Sequence, residues 1–347
     1  MTLIATAAIL LAAFAVSYGT TRALIPLLTK HLLDRPNTRS SHTVPTPRSG
    51  GLGIVAGIGV ALLVSYALDF HLPRWQIIAG AAAMAAVGLA DDRFRLSVKV
   101  RLPVQLAAAA LVVYPATRLS HFPLPTPLDF GLELSAVPLS ILWIVGMTNL
   151  YNFLDGIDGY AAVQGIIGGL ALVAVGSSGP LGSVGIAIAG ASAGFLILNW
   201  RPAKIFMGDV GSSTIGFLFA ALPFQVEGGE QADAILLVAL ALWFFFSDGF
   251  YTFLGRLLGR HRVWEAHRTH LYQRLVISGL AHDYVVIWFG SVGALLTALA
   301  VVAISRPFST IGLWAVIVVA LCLFTALIVV VRVRESRSSE STSPDER

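Results

Sequence analysis

Apolar residues run along this chain in blocks of about twenty, broken by short polar segments, almost from end to end. A helix of that length matches the hydrocarbon thickness of a bilayer, and the blocks lack the alternation of half-buried strands. The pattern predicts about eleven transmembrane helices, at roughly 3–28, 51–68, 75–90, 102–117, 135–152, 159–176, 182–199, 211–225, 233–253, 282–304 and 309–331. The expected fold class is therefore all-α, a polytopic integral membrane protein. One membrane domain is expected over 1–332 and a disordered tail, rich in Ser and charge, over 333–347. The first block is too long for a signal-peptide core and reads as a span.

Composition sharpens this picture. Hydrophobic residues make up 56% of the 347 and charged residues 12%, about half the charged share of a soluble domain. Mean hydropathy is +0.79. The single cysteine, Cys322, lies in an apolar block and offers neither disulfide nor metal site. A pI near 9.4 does not mean nucleic acid, because the positive charge sits in short loops between spans. Nineteen of the 23 Lys and Arg residues fall on one side; Arg74, Arg118 and Arg306 fall on the other, and Arg22 lies within the first span. The positive-inside rule makes the rich side cytoplasmic, with the N-terminus outside and the C-terminus inside.

Every polar cluster then lands on the cytoplasmic face. Asn149, Asn152, Asp155 and Asp158 are packed into eleven residues between two apolar blocks. Asn149 and Asn152 share one face of a last helical turn, and the two acids sit near the start of the next helix. Ionisable groups beside a span are costly and mark a substrate or ion site. Asp91 and Asp92 end the third span, and adjacent carboxylates repel unless a cation or shared proton lies between them. Asp209, between Gly208 and Gly211, follows Asn199, Lys204 and Phe206 and opens an apolar span. That placement suits a phosphate-bound Mg2+, a hard ion that keeps waters and takes one or two carboxylates. The Pro45–Gly53 stretch offers glycine amides and Arg48 to an anion, although close helix packing explains glycines as well. His267, Arg268 and His270 lie in the most basic loop, where phosphate or sugar recognition outranks a zinc site, since no acidic or Cys partner completes one. Asp248, before a basic segment, is a further candidate.

Many carboxylates, many cations and no nucleophile–His pair describe metal-assisted phosphoryl chemistry. A transporter would spread its ionisable groups toward the midplane or along a path to both faces. The Asp-Gly pattern also differs from that of CDP-alcohol phosphotransferases, since Asp158-Gly159 is followed by Tyr-Ala-Ala-Val-Gln-Gly.

In order, Pro45–Gly53, Gly88–Phe94, Asn149–Gly159, Asn199–Ser212 and the His267–His270 loop resemble the polyprenyl-phosphate N-acetylhexosamine-1-phosphate transferases, over about Leu33 to Leu275. The resemblance implies Mg2+-dependent transfer of a sugar 1-phosphate from a UDP-N-acetylhexosamine to undecaprenyl phosphate, with release of UMP. It implies a bacterial cytoplasmic membrane enzyme, with a homodimer as one assembly it allows. Asp209 would bind Mg2+; Asp91 and Asp92 would position or deprotonate the lipid phosphate, with Asp92 assisting the metal. Asn152, Asp155, Asp158, Asn199 and Phe206 would line the uridine-diphosphate pocket, and His267 and His270 match the histidine loop. The peptidoglycan branch, which transfers phospho-MurNAc-pentapeptide, carries three consecutive histidines there; His-Arg-Thr-His resembles instead the enzymes that start O-antigen and other surface glycans, often on a 6-deoxy sugar.

Overall fold

The computed structural model describes residues 2–36, 44–114, 118–176, 179–226, 229–261, 268–305 and 309–341. Most of the described residues are helical, as the apolar periodicity requires. The helices are α1 (Leu3–His31), α2 (Gly51–Ala67), α3 (Trp75–Phe94), α4 (Val98–Val113), α5 (Ala136–Leu154), α6 (Tyr160–Val175) and α7 (Pro180–Asn199). They continue as α8 (Gly208–Ala221), α9 (Gly229–Ala241), α10 (Trp243–Leu258), α11 (Leu271–Ile277), α12 (His282–Ile304) and α13 (Ser309–Ser341). An antiparallel pair, β1 (Leu33–Asp34) with β2 (Thr46–Pro47), is the one sheet among the described residues.

Two helices form the inner framework. α7 is buried along nearly its whole length and packs against α1, α2 and α6; α8 is equally buried and packs against α3 and α5. Both are rich in Gly, Ala and Ser, and small side chains let backbones approach where hydrocarbon supplies no hydrophobic drive between helices. The peripheral helices turn apolar side chains outward: Leu11 on α1 is 60% exposed and Ile311 on α13 is 71% exposed. Such surface is a liability in water and ordinary against lipid.

Among the described residues five stretches are long and apolar enough to cross a membrane: α1, Glu133–Leu154, α7, α12 and Thr310–Arg337. α9 and α10 together would make a sixth, but they meet at an 80° bend. α2 and α6 are apolar and shorter. Helix lengths thus give a multi-pass membrane protein with spans less uniform than the hydropathy pattern implies. The expected single span at 233–253 is broken at Leu242, where the chain leaves helical geometry before Trp243. Hydropathy is constant across that break, so the pattern could not mark it. Of the tail expected to be disordered over 333–347, the part to Ser341 continues α13, with Glu335 ion-paired, and 342–347 lie outside the described residues.

Candidate active site

The site is built where β2, the end of α3 and the start of α8 meet. The backbone just after β2 runs beside the segment entering α8. Phe206 N–H donates to Pro47 O (2.8 Å), Gly50 N–H to Phe206 O (2.9 Å) and Gly51 N–H to Met207 O (2.9 Å). The glycine amides read as an anion cradle are therefore spent on backbone. Their use is close approach: a Cβ on Gly51 would lie 2.3 Å from Gly211 Cα, and one on Gly88 2.5 Å from Asp209 O. These contacts seat α2 and α3 directly on the first turn of α8.

Asp92 fixes that turn. Its Oδ1 accepts from Asp209 N–H (2.9 Å) and pairs with Arg48; its Oδ2 accepts from Ser49 Oγ (2.7 Å) and Val210 N–H (3.4 Å). Its side chain is fully buried. In effect Asp92 caps α8 from another helix, satisfying amides that an ordinary N-cap residue would take. Neither oxygen faces the cleft, so direct metal ligation, expected of Asp92 beside Asp209, does not fit this arrangement.

Asp91 and Asp209 do face it. Arg101 Nη1 donates to Asp91 Oδ2 (2.7 Å) and lies 3.4 Å from Asp209 Oδ2, while Arg48 Nη2 lies 3.3 Å from Asp209 Oδ1. These groups, with Asp34, Arg95 and Leu96, line a cleft of about 380 Å³. Arg95 takes a left-handed backbone (φ 52°) at the end of α3, its N–H bonded to Asp91 O at 2.8 Å. Among the described residues no carboxylate pairs with its guanidinium.

The Asn149–Gly159 cluster divides. Asn152 Nδ2 donates to Ser212 Oγ on α8 (2.9 Å), in the turn of that helix after Asp209. Asn149 instead exchanges side-chain hydrogen bonds with Gln105 on α4 (2.7 and 3.3 Å). Asp155 sits in the turn between α5 and α6. Burial, then the charge of Asp92, raises its carboxyl to about 7, against the opposing pull of Arg48. Asp158 accepts from Ala203 N–H (3.2 Å) and lies 3.9 Å from His282 Nδ1. Burial opposes its ionisation, but His282 and the Ala203 amide outweigh that and hold its carboxyl below the usual range. Asn199 is buried, taking Gly159 N–H (3.0 Å) and giving to Ile205 O (2.9 Å). Asp158 and Asn199 therefore tie the turn to the 200–206 connection, which carries half-buried Phe206 and exposed Lys204.

Asp248 is fully buried on α10 and serves α11. It accepts from Leu271 N–H (2.8 Å), Tyr272 N–H (3.1 Å) and Thr252 Oγ1 (3.0 Å), and His270 Nδ1 lies 3.4 Å away. It holds a helix rather than a ligand. Arg268 is half-buried ahead of α11, and His267 lies outside the described residues. Sequence reasoning missed Arg95 and Arg101 in the cleft and Ser49 behind it, on Asp92; the one available signal was their position within or beside the motifs that hold Arg48 and Asp91-Asp92.

Among the described residues no three His, Cys, Asp or Glu side chains enclose a single point. A caged metal is not what the donors offer. Asp91 and Asp209, opening on a cleft that Asp34 also lines, fit a hard ion that takes one or two acids and fills its other positions with water and phosphate oxygens.

These features define a membrane-embedded enzyme built for phosphorylated substrates, and comparison with known proteins agrees. Residues 74–227 match the model of glycosyl transferase family 4. The chain is 30% identical over 326 residues to a probable undecaprenyl-phosphate N-acetylglucosaminyl 1-phosphate transferase of Bacillus subtilis, covering 91% of this chain and 90% of that one. It is 30% identical over 300 residues to a decaprenyl-phosphate N-acetylglucosaminephosphotransferase of Mycobacterium tuberculosis, covering 74% and 73%. It is 26% identical over 321 residues to an undecaprenyl-phosphate alpha-N-acetylglucosaminyl 1-phosphate transferase of Escherichia coli, covering 84% and 82%. The chain belongs to glycosyl transferase family 4, the polyprenyl-phosphate N-acetylhexosamine-1-phosphate transferases, and is an enzyme of the glycosyl-1-phosphate transferase type.

Proposed function

We propose that this enzyme transfers an N-acetylhexosamine 1-phosphate from a UDP-linked sugar to undecaprenyl phosphate, releasing UMP. The reaction would start a lipid-linked surface glycan at the cytoplasmic face of the bacterial inner membrane. The observation that carries the reading is the cleft itself: Asp91 and Asp209 converge with Arg48, Arg95 and Arg101 at the ends of apolar helices. The names of its relatives favour N-acetylglucosamine or a near analogue as the sugar.

An oxygen of the lipid phosphate attacks the β-phosphorus of the donor. A new P–O–P bond forms, the bond to the α-phosphate breaks, and UMP leaves with the bridging oxygen. A phosphate monoester has its second pKa near 6, so most of the acceptor is already a dianion at neutral pH. Asp91 therefore acts by position and charge, with no proton to remove. Mg2+, held by Asp209 and Asp91, would neutralise charge on the diphosphate. Arg48 and Arg101 are anchored on the carboxylates and steady them, whereas Arg95 meets the lipid phosphate. Asn152, Asp155 and Phe206 hold the nucleotide, and His270 faces the sugar-phosphate half.

Purified protein incubated with undecaprenyl phosphate, Mg2+ and a panel of UDP-sugars should release UMP with one or a few N-acetylated hexosamines, and EDTA should stop it. No UMP with any member of the panel would sink the proposal.

A further inference from the structure

Helix α11 has only seven residues and follows the basic loop, yet it carries His270 at its start. A helix this short does not hold its own orientation and must be fixed by contacts. Its front is fixed by Asp248, through the Leu271 and Tyr272 amides. From there Tyr272, fully buried, reaches the turn that carries Asp155. Its ring packs on Tyr160 (5.1 Å between centroids), and a Cβ on Gly156 would lie 2.0 Å from its hydroxyl.

The rear of α11 is fixed from the far end of the chain. Arg274 Nε meets Glu335 Oε1 at 2.7 Å and Arg274 Nη2 meets Glu335 Oε2 at 2.6 Å. This is a two-pronged guanidinium–carboxylate pair, which sets direction as well as distance. Glu335 belongs to the continuation of α13 beyond its most apolar stretch. We propose that Glu335 is a positioning residue: through Arg274 it sets the orientation of α11, and with it the placement of His270 and Tyr272 against the Asp155–Gly156 turn. The inference builds on the proposed reaction, in which that turn holds the donor.

Glu335→Gln, Arg274→Gln and the exchanged pair Arg274→Glu with Glu335→Arg are compared with wild type in turnover and in amide hydrogen exchange. Misplacing a group that orients substrate costs turnover more than binding, so each single change should lower kcat about tenfold. KM for donor and acceptor should stay within about twofold. Exchange at the α11 amides should quicken in both single variants, and the exchanged pair should recover most of the kcat and the protection. Wild-type kcat and exchange in the single variants would overturn the proposal, as would an exchanged pair no better than either single one. Exchange is read without substrate, so it decides the role of Glu335 even if wild type releases no UMP.

Discussion

The backbone amide of Asp209 donates to the carboxylate of Asp92 at 2.9 Å, so an acid that lines the cleft is held in place by one buried behind it. The two residues are 117 apart in sequence, and Arg48 bridges their side chains. This divides their work. Asp92→Ala should destabilise the protein by about 1–3 kcal/mol, because amides of α8 lose their buried acceptor. Asp209→Asn should leave melting near wild type while abolishing most turnover. A thermal melt and a UMP assay on both variants separate the roles; equal melting temperatures for the two would contradict the division.

Arg95 lines the cleft with no carboxylate partner among the described residues, unlike Arg48 and Arg101. Arg95→Ala should raise KM for the lipid phosphate about tenfold, the order expected for one lost charged hydrogen bond, and leave donor KM nearly unchanged. A selective rise in donor KM would move Arg95 to the nucleotide side.

Asp155 offers a test by pH. Its carboxyl lies near 7 in the folded protein and near 3.8 when unfolded. The folded state therefore binds the extra proton between those values, and stability falls as pH rises through that window. Asp155→Asn, which cannot ionise, should melt increasingly above wild type as pH climbs from 4 to 7, by a margin that then holds at higher pH. A difference independent of pH would show that Asp155 is not held protonated.

Orientation can be tested with cysteine labelling in a Cys322→Ser background. Ser97 and Ser120 are both exposed, on loops assigned to opposite faces by the charge count. In intact cells a cysteine at Ser120 should react with an impermeant thiol reagent and one at Ser97 should not. The reverse result would turn the protein over and move the cleft away from cytoplasmic UDP-sugars.

What the sequence made legible follows from what it encodes locally. Apolar blocks betray helices that need lipid or a buried neighbour, so most helices lie where expected. Asp91, Asp209 and Arg48 stood out because charges at span ends are costly without a task. The same rule could not tell a ligand-facing acid from one spent on structure. Asp248 and Asp158 looked like substrate residues, but each satisfies backbone amides from a segment distant in sequence. Glycines of Pro45–Gly53 looked like an anion cradle for a similar reason, since a sequence does not show which carbonyls its amides will meet. The bend at Leu242 and the pairing of Glu335 with Arg274 likewise depend on tertiary partners.

In the proposed reaction the sugar travels with its phosphate. A UDP-N-acetylhexosamine labelled in the β-phosphate, incubated with undecaprenyl phosphate, Mg2+ and the purified protein, reports this directly. We expect the label to enter the lipid fraction and the nucleotide product to be unlabelled UMP. Label retained in UDP, with sugar alone on the lipid, would contradict phosphoryl transfer in the Asp91–Asp209 cleft.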